Sequence, residues 1–258
     1  VVSERNFAKL SKLKDLDIYS FSPLIFDLHW VPPFQLEELV LSFAGPNLPA
    51  WLYTQRSLES LTIFESSFKA QDKFWNLVSR VLELHLDGNS IDGNQSNVLL
   101  NSTFIDLSSN GLQGGLPRLS PNVAIASLSD NSLSGDISPL LCGHKMLNRK
   151  NNLLFLDISH NHLSGGLTKC WKNWKYLFAI HLGSNNLTGK IPPQICQMSS
   201  LIILVIADNT ISGHIPTCLG NITTLVFNNA SRSKLSFSFP SFGDCYLISD
   251  ESLELITK

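Results

Sequence analysis

The apolar residues of this chain recur in blocks rather than at one helical or strand period. The stretches "ELHLDGNSIDG" (83–93), "FIDLSSNGLQGGL" (104–116), "IASLSDNSLSGDI" (125–137), "FLDISHNHLSGGL" (155–167), "AIHLGSNNLTGKI" (179–191) and "LVIADNTISGHI" (204–215) share the frame L-x-L-x-x-N-x-L-x-G-x-I. The shared asparagines are Asn89, Asn110, Asn131, Asn161, Asn185 and Asn209, at spacings of 21, 21, 30, 24 and 24. The long interval is one block carrying an insertion, most simply the polar "CGHKMLNRKN" at 142–151. Weaker copies lie upstream at 13–21, 36–44 and 58–66, with Phe21, Ala44 and Ser66 in the asparagine slot. Such self-similarity is the signature of a stacked repeat architecture.

Each block carries its own physical logic. The alternating leucines predict a short strand with one face inward. The chain must then turn, and an inward asparagine can bond backbone groups that the turn leaves unpaired. Glycines such as Gly165, Gly189 and Gly213 allow a backbone conformation closed to other residues. A following Ile-Pro ends the local hydrogen-bonding pattern. No block can bury its leucines alone, so neighbours must cover them. The expectation is a curved α/β solenoid with a parallel sheet on its concave face and a mostly irregular or 3-10 convex side.

These blocks resemble plant-type leucine-rich repeats, L-x-x-L-x-L-x-x-N-x-L-x-G-x-I-P, which implies the horseshoe form of that solenoid. Finer phrases resemble plant receptor-like proteins of the fungal-xylanase-receptor (ethylene-inducing xylanase) type: "WVPPFQLEEL" (30–39), "LPAWLYTQRSLESLTI" (48–63), "FWNL" (74–77), "SGDISPLLC" (134–142) and "GGLTKCWKNWKYL" (165–177). The likeness covers nearly the whole chain. Repeats are expected over 1–225. Residues 226–258, rich in Ser and Phe and out of repeat phase, resemble the start of a truncated non-repeat island. The chain starts in mid-repeat without a cap, so a fragment of a longer ectodomain is expected, with any membrane span outside it.

The formal charge of −2 provides no basic field for nucleic acid. No run of eighteen apolar residues and no signal peptide is visible. Among five cysteines, Cys142 and Cys196 each lie eleven residues after their asparagine, and Cys170 and Cys218 nine after theirs. Equivalent positions on stacked blocks are neighbours, which predicts bridges Cys142–Cys170 and Cys196–Cys218 rather than buried free thiols. Cys245 is left over, its partner expected beyond Lys258. Sequons at Asn94, Asn101, Asn186, Asn221 and Asn229 favour an extracellular chain.

Candidate chemistry is sparse. "GSNNLTGKI" (183–191) approaches a phosphate-binding loop, but five residues separate its glycines and Ile191 replaces the hydroxyl that would bind Mg²⁺. "HNH" (160–162) lacks further converging metal ligands. No catalytic constellation and no cofactor is expected. Strand register instead puts Tyr19, Phe43, Phe64, His85, Asp87, Asp106, Asp157, His160, His181 and Asp208 on the concave surface, free to be read by a partner. Trp51, Trp171 and Trp174 are expected on the convex side.

The resemblance implies a non-enzymatic extracellular module that recognises a microbial protein or peptide and signals through membrane co-receptor kinases. It adds the island residues Phe237, Phe239, Phe242 and Tyr246 as contacts. Three readings compete with it: a secreted inhibitor of the polygalacturonase-inhibiting kind, a receptor-kinase ectodomain, and a carbohydrate-cleaving β-helix. The last would need carboxylates clustered out of repeat phase.

Overall fold

The computed structural model describes residues 3–20, 26–42, 45–142, 151–221, 226–228 and 234–236. Two compact units divide at Val123 and Ala124. In the first, five parallel strands lie side by side in chain order: β1 (Asp15–Ile18), β2 (Glu38–Ser42), β3 (Ser60–Phe64), β4 (Glu83–His85) and β5 (Phe104–Asp106). The second repeats the arrangement with β6 (Ile125–Ser127), β7 (Phe155–Asp157), β8 (Ala179–His181), β9 (Ile203–Val205) and β10 (Val226–Asn228).

The register has no slip within either unit. Leu16, Leu39, Leu61, Leu84 and Ile105 stand opposite one another across β1–β5. Ala126, Leu156, Ile180 and Leu204 do so across β6–β9. All of these except Leu16 are buried, as are Leu41, Ile63, Leu86 and Leu107 two positions on. A one-residue slip would turn each strand's leucines to solvent, so burial pins the register. Each unit is thus a leucine-rich-repeat stack whose core lies behind one parallel sheet.

After each turn the chain adds a second, narrower ladder. Ser67–Lys69, Ser90–Asn94 and Gly111–Gly114 pair in parallel in the first unit. In the second, Ser132–Asp136 pairs with His162–Ser164, and Thr210–His214 lies between Thr188–Gly189 and Lys234–Ser236, pairing with each. Thus His162 opens a strand of this ladder. Short helices close the core behind: α1 (Asp72–Val78), α2 (Ser138–Cys142), and 3-10 turns at Ala50–Thr54, Lys169–Asn173, Pro193–Gln197 and Thr217–Asn221. Trp51, Trp171 and Trp174 sit at these turns but point inward, at most 2% exposed. The Trp174 indole N–H donates to the Leu141 carbonyl at 3.2 Å. In the first unit Phe7, Phe26, Trp30, Phe34 and Trp51 form one aromatic cluster.

The asparagine ladder is realised atom by atom. Asn185 Oδ1 accepts from the Leu163 N–H at 3.0 Å, and its Nδ2 donates to the carbonyls of Ile158, Leu182 and Gly183 at 2.9, 3.3 and 3.1 Å. Asn209 repeats this with Leu187 N–H and the carbonyls of Leu182, Ile206 and Ala207. Asn89, Asn110 and Asn161 likewise bond their own turn and the preceding repeat. Each amide therefore ties two repeats together while satisfying buried backbone groups.

The residue just before the asparagine slot has a left-handed backbone in every described block from the third onward. Its φ is 49° at Glu65, 63° at Gly88, 51° at Ser109, 52° at Asp130, 51° at His160, 52° at Ser184 and 50° at Asp208. Short polar residues tolerate this region best. Gly165 is left-handed too, at 87°, and a Cβ there would lie 2.6 Å from the Asp136 carboxylate. Cys142 is joined to Cys170, and Cys196 to Cys218, with Cα separations of 5.4 and 6.0 Å. Cys245 lies outside the described residues.

Candidate functional site

The outward face of each sheet is the surface on which repeat-to-repeat variation is freest, because its side chains point away from the leucine core. In the first unit the outward columns run Asp17, Val40, Thr62, His85, Asp106 and, two residues on, Tyr19, Ser42, Phe64, Asp87, Ser108. Tyr19 is 67% exposed, and its ring meets that of Phe64 at a centroid distance of 5.6 Å. The two residues are two strands apart, at a spacing of about 4.8 Å per strand. They meet because the intervening Ser42 is small. Ser42 is itself buried, and its hydroxyl accepts from the Ser20 N–H at 2.8 Å. Phe43 lies outside the described residues.

His85 stacks on Phe104 of the next strand, centroids 4.5 Å apart and planes 26° apart. His181 makes the related contact edge-on with Phe155 of the preceding strand, at 5.4 Å. These diagonal pairs suit the reach of aromatic side chains across a sheet. Phe104 and Phe155 were not among the sequence candidates; the signal was an aromatic two residues before the aspartates of "FID" and "FLD".

The two recurring aspartates behave differently. Asp106 Oδ1 accepts from the Ser108 N–H and hydroxyl at 3.0 and 2.6 Å. Burial nevertheless holds its carboxyl above the usual carboxylate range, with the nearby Asp87 charge adding to the effect. Asp157 receives the same pair of bonds from Ser159, at 2.9 and 2.6 Å. Its second oxygen lies 3.5 Å from His181 Nδ1. Burial pushes Asp157 up too, but the bonds from His181 and Ser159 outweigh it and its carboxyl lies below the usual range. His181 Nε2 is buried without a hydrogen-bond partner among the described residues.

His160 and Asp208 stand at the left-handed turn rather than in a strand. His160 Nδ1 lies 3.9 Å from Asp130 Oδ1, one repeat earlier in the same column. Asp87 is exposed. Around the strand starts of the first unit, Asp15, Glu37, Glu38, Glu59 and Glu83 rim an open hollow of about 290 Å³. Lys14 contacts Glu37 there. Among the described residues no group of three or more His, Cys, Asp or Glu is placed to hold a metal ion, and no helix is long and apolar enough to cross a membrane.

Of the sequons, Asn94 and Asn186 are exposed and Asn101 is half-buried. Asn221 ends the last 3-10 turn. Asn229, and the aromatic set Phe237, Phe239, Phe242 and Tyr246, lie outside the described residues.

The Leucine Rich Repeat family model matches residues 152–174 and 176–198. The chain is similar to receptor-like protein EIX2 of Solanum lycopersicum, 34% identical over 273 residues, covering 93% of this chain and 26% of the relative. It is also similar to receptor-like protein 32 of Arabidopsis thaliana, 39% identical over 97 residues, covering 34% of this chain and 11% of the relative. The chain therefore spans about a quarter of the length of the first of these relatives. The fold matches the Arabidopsis receptor kinase HAESA, crystallised with the peptide hormone IDA and the co-receptor SERK1. Its TM-score is 0.64 at 24% identity, over 87% of this chain and 38% of that one. The chain carries the leucine-rich-repeat fold, and the relatives it is similar to are receptor-like proteins of plants.

Proposed function

We propose that this chain is an extracellular, non-enzymatic recognition module of a plant cell-surface receptor-like protein, and that it binds a microbial protein or peptide on its sheet face. The observation that carries the reading is the Tyr19–Phe64 pair, two aromatic rings held together on an exposed parallel sheet. Tyrosines so placed bring large contact area at low entropic cost and are frequent anchors in interfaces. The diagonal His85–Phe104 pair extends the surface. The acidic rim at Asp15, Glu38, Glu59 and Glu83 favours a ligand with basic side chains beside its apolar anchor.

The likeness to receptor-like proteins supports a cell-surface location and a role in defence signalling. The fold shared with a receptor kinase solved with peptide and co-receptor supports partner kinases as the signalling route. Residues 1–225 form the recognition stack in this reading. Within 226–258, β10 and Lys234–Ser236 continue the two ladders rather than leaving the repeat phase at once, and beyond them Phe237, Phe239, Phe242 and Tyr246 contact the ligand or co-receptor in this reading.

Binding of a purified fungal xylanase, and of fractions of fungal culture filtrate, to the immobilised chain tests the proposal. Tyr19→Ala and Phe64→Ala are expected to weaken capture while leaving the unfolding transition in place. Raising salt is expected to weaken it further, through screening of the acidic rim. Undiminished capture by both variants would remove the first unit's sheet face from the site. Turnover of a plant or fungal polysaccharide would overturn the non-enzymatic reading.

A further inference from the structure

One hollow among the described residues of the first unit is not on the sheet face. It lies behind, between α1 and the segment that follows the Ser90–Asn94 strand. Its volume is about 660 Å³, and Asp72, Trp75, Asn76, Ser79, Asn97, Val98, Leu99 and Asn101 line it. That volume falls within the usual range of small-ligand sites, roughly 300–1,000 Å³. The lining has two characters. Val98, Leu99 and Trp75 form an apolar wall, with Leu99 47% exposed although it sits in a strand. Asp72, Asn76 and Asn97 supply carboxylate and amide groups whose side chains make no hydrogen bond with any described residue. An apolar wall facing uncommitted amides and a carboxylate matches a sugar ring, which presents C–H faces and equatorial hydroxyls.

One lining residue is the acceptor of a sequon, Asn101-Ser102-Thr103. The Asn101 side chain is held by its oxygen alone: Oδ1 accepts from the Ser120 hydroxyl at 2.5 Å and from Asn122 Nδ2 at 3.1 Å. Its amide nitrogen, the atom that carries an N-linked glycan, makes no bond within the described residues. The other described sequons differ. Asn94 is exposed, and its oxygen is taken by the hydroxyl and N–H of its own Ser96. Asn186 borders a smaller hollow of about 350 Å³ lined only by Asn161, Ser184, Asn185 and Asp208, without an apolar wall.

We infer that Asn101 is glycosylated and that the core N-acetylglucosamine residues of its glycan lie in this hollow, against Leu99 and Val98 and within reach of Asp72 and Asn76. The hollow is then a built-in glycan seat that covers apolar surface on the back of the first unit. The inference rests on the extracellular reading above, since sequons are used only in the secretory pathway. It says in addition which sequon is special, and why.

The test is site-resolved trimming. The chain is secreted from a host that makes high-mannose glycans, and endoglycosidase H is applied to the folded protein. Occupancy and trimming are read at each sequon by peptide mass spectrometry. Asn101 should be occupied and trimmed at least about tenfold more slowly than Asn94 and Asn186, a ratio that corresponds to modest shielding. The three rates should converge after denaturation. The double variant Asp72→Ala, Asn76→Ala should bring the Asn101 rate towards that of Asn186 without changing occupancy. Equal native rates at the three sites, or an empty Asn101 beside an occupied Asn186, overturn the inference alone. No occupancy at any of the five sequons contradicts the extracellular reading beneath it.

Discussion

At the scale of single residues, the ladder asparagines and the two recurring aspartates make the sharpest statements. Asn185→Ala would leave the Leu163 N–H unpaired in the core and the Ile158 carbonyl with only its longer bond from Asn161 Nδ2, at 3.3 Å. A cost of about 2 kcal/mol is expected, from one buried orphan and one weakened acceptor. Asn186→Ala, one residue on and exposed, should stay within about 0.5 kcal/mol; denaturant midpoints compare the two. The aspartates should respond to pH with opposite signs. The folded Asp157 carboxyl lies below its unfolded value, so its contribution is present above the ordinary carboxylate range and is lost as pH falls through the folded value. Asp157→Asn should cost about 1–2 kcal/mol near neutrality, with the gap from the parent closing in acid. The folded Asp106 carboxyl lies above its unfolded value. Its contribution is present in acid and is lost as pH rises, so Asp106→Asn should be neutral or stabilising near neutrality. Thermal unfolding across pH separates the two cases. The asparagines were legible in the sequence because they recur in phase. The aspartates were legible as positions but not as a contrast, because the difference comes from His181 on the neighbouring strand.

At the scale of elements, the repeat frame predicts strand, turn and re-entry, and the left-handed turn residue adds a constraint that the frame does not spell out. His160 and Asp208 look like outward strand residues when only the alternation of leucines is followed. Their φ of 51° and 50° places them at the turn instead. The mixture of Gly, Ser, Asp, His and Glu in that column was the available clue, since most of these tolerate positive φ. Glycine positions divide in the same way. Gly165→Ala meets both a left-handed backbone and the Asp136 carboxylate, and a loss above about 1 kcal/mol is expected. Gly183→Ala meets nothing closer than 3.6 Å and should be tolerated, which equilibrium unfolding of the pair would check. The tryptophans keep to their expected side. Trp51, Trp171 and Trp174 follow the strands and pack beneath the 3-10 turns behind the sheet, their rings buried in the core.

At the scale of the molecule, the division of labour is between a periodic core and an aperiodic surface. The core repeats, so one sequence frame revealed the fold class and the strand register. The surface does not repeat, so its groupings needed coordinates. The meeting of Tyr19 with Phe64 depends on the small Ser42 between them, and the glycan seat at Asn101 depends on α1, which no repeat frame contains. Recognition through the sheet face makes a direct demand on solvent exposure. Hydroxyl-radical footprinting of the complex with a captured fungal protein, read residue by residue, measures it. The account predicts that exposed Tyr19 and half-buried Phe64 lose reactivity on binding, while Leu28 and Val31, open apolar residues of the same unit at 78% and 67% exposure, keep theirs. Unchanged labelling of Tyr19 and Phe64 at saturating ligand would contradict it.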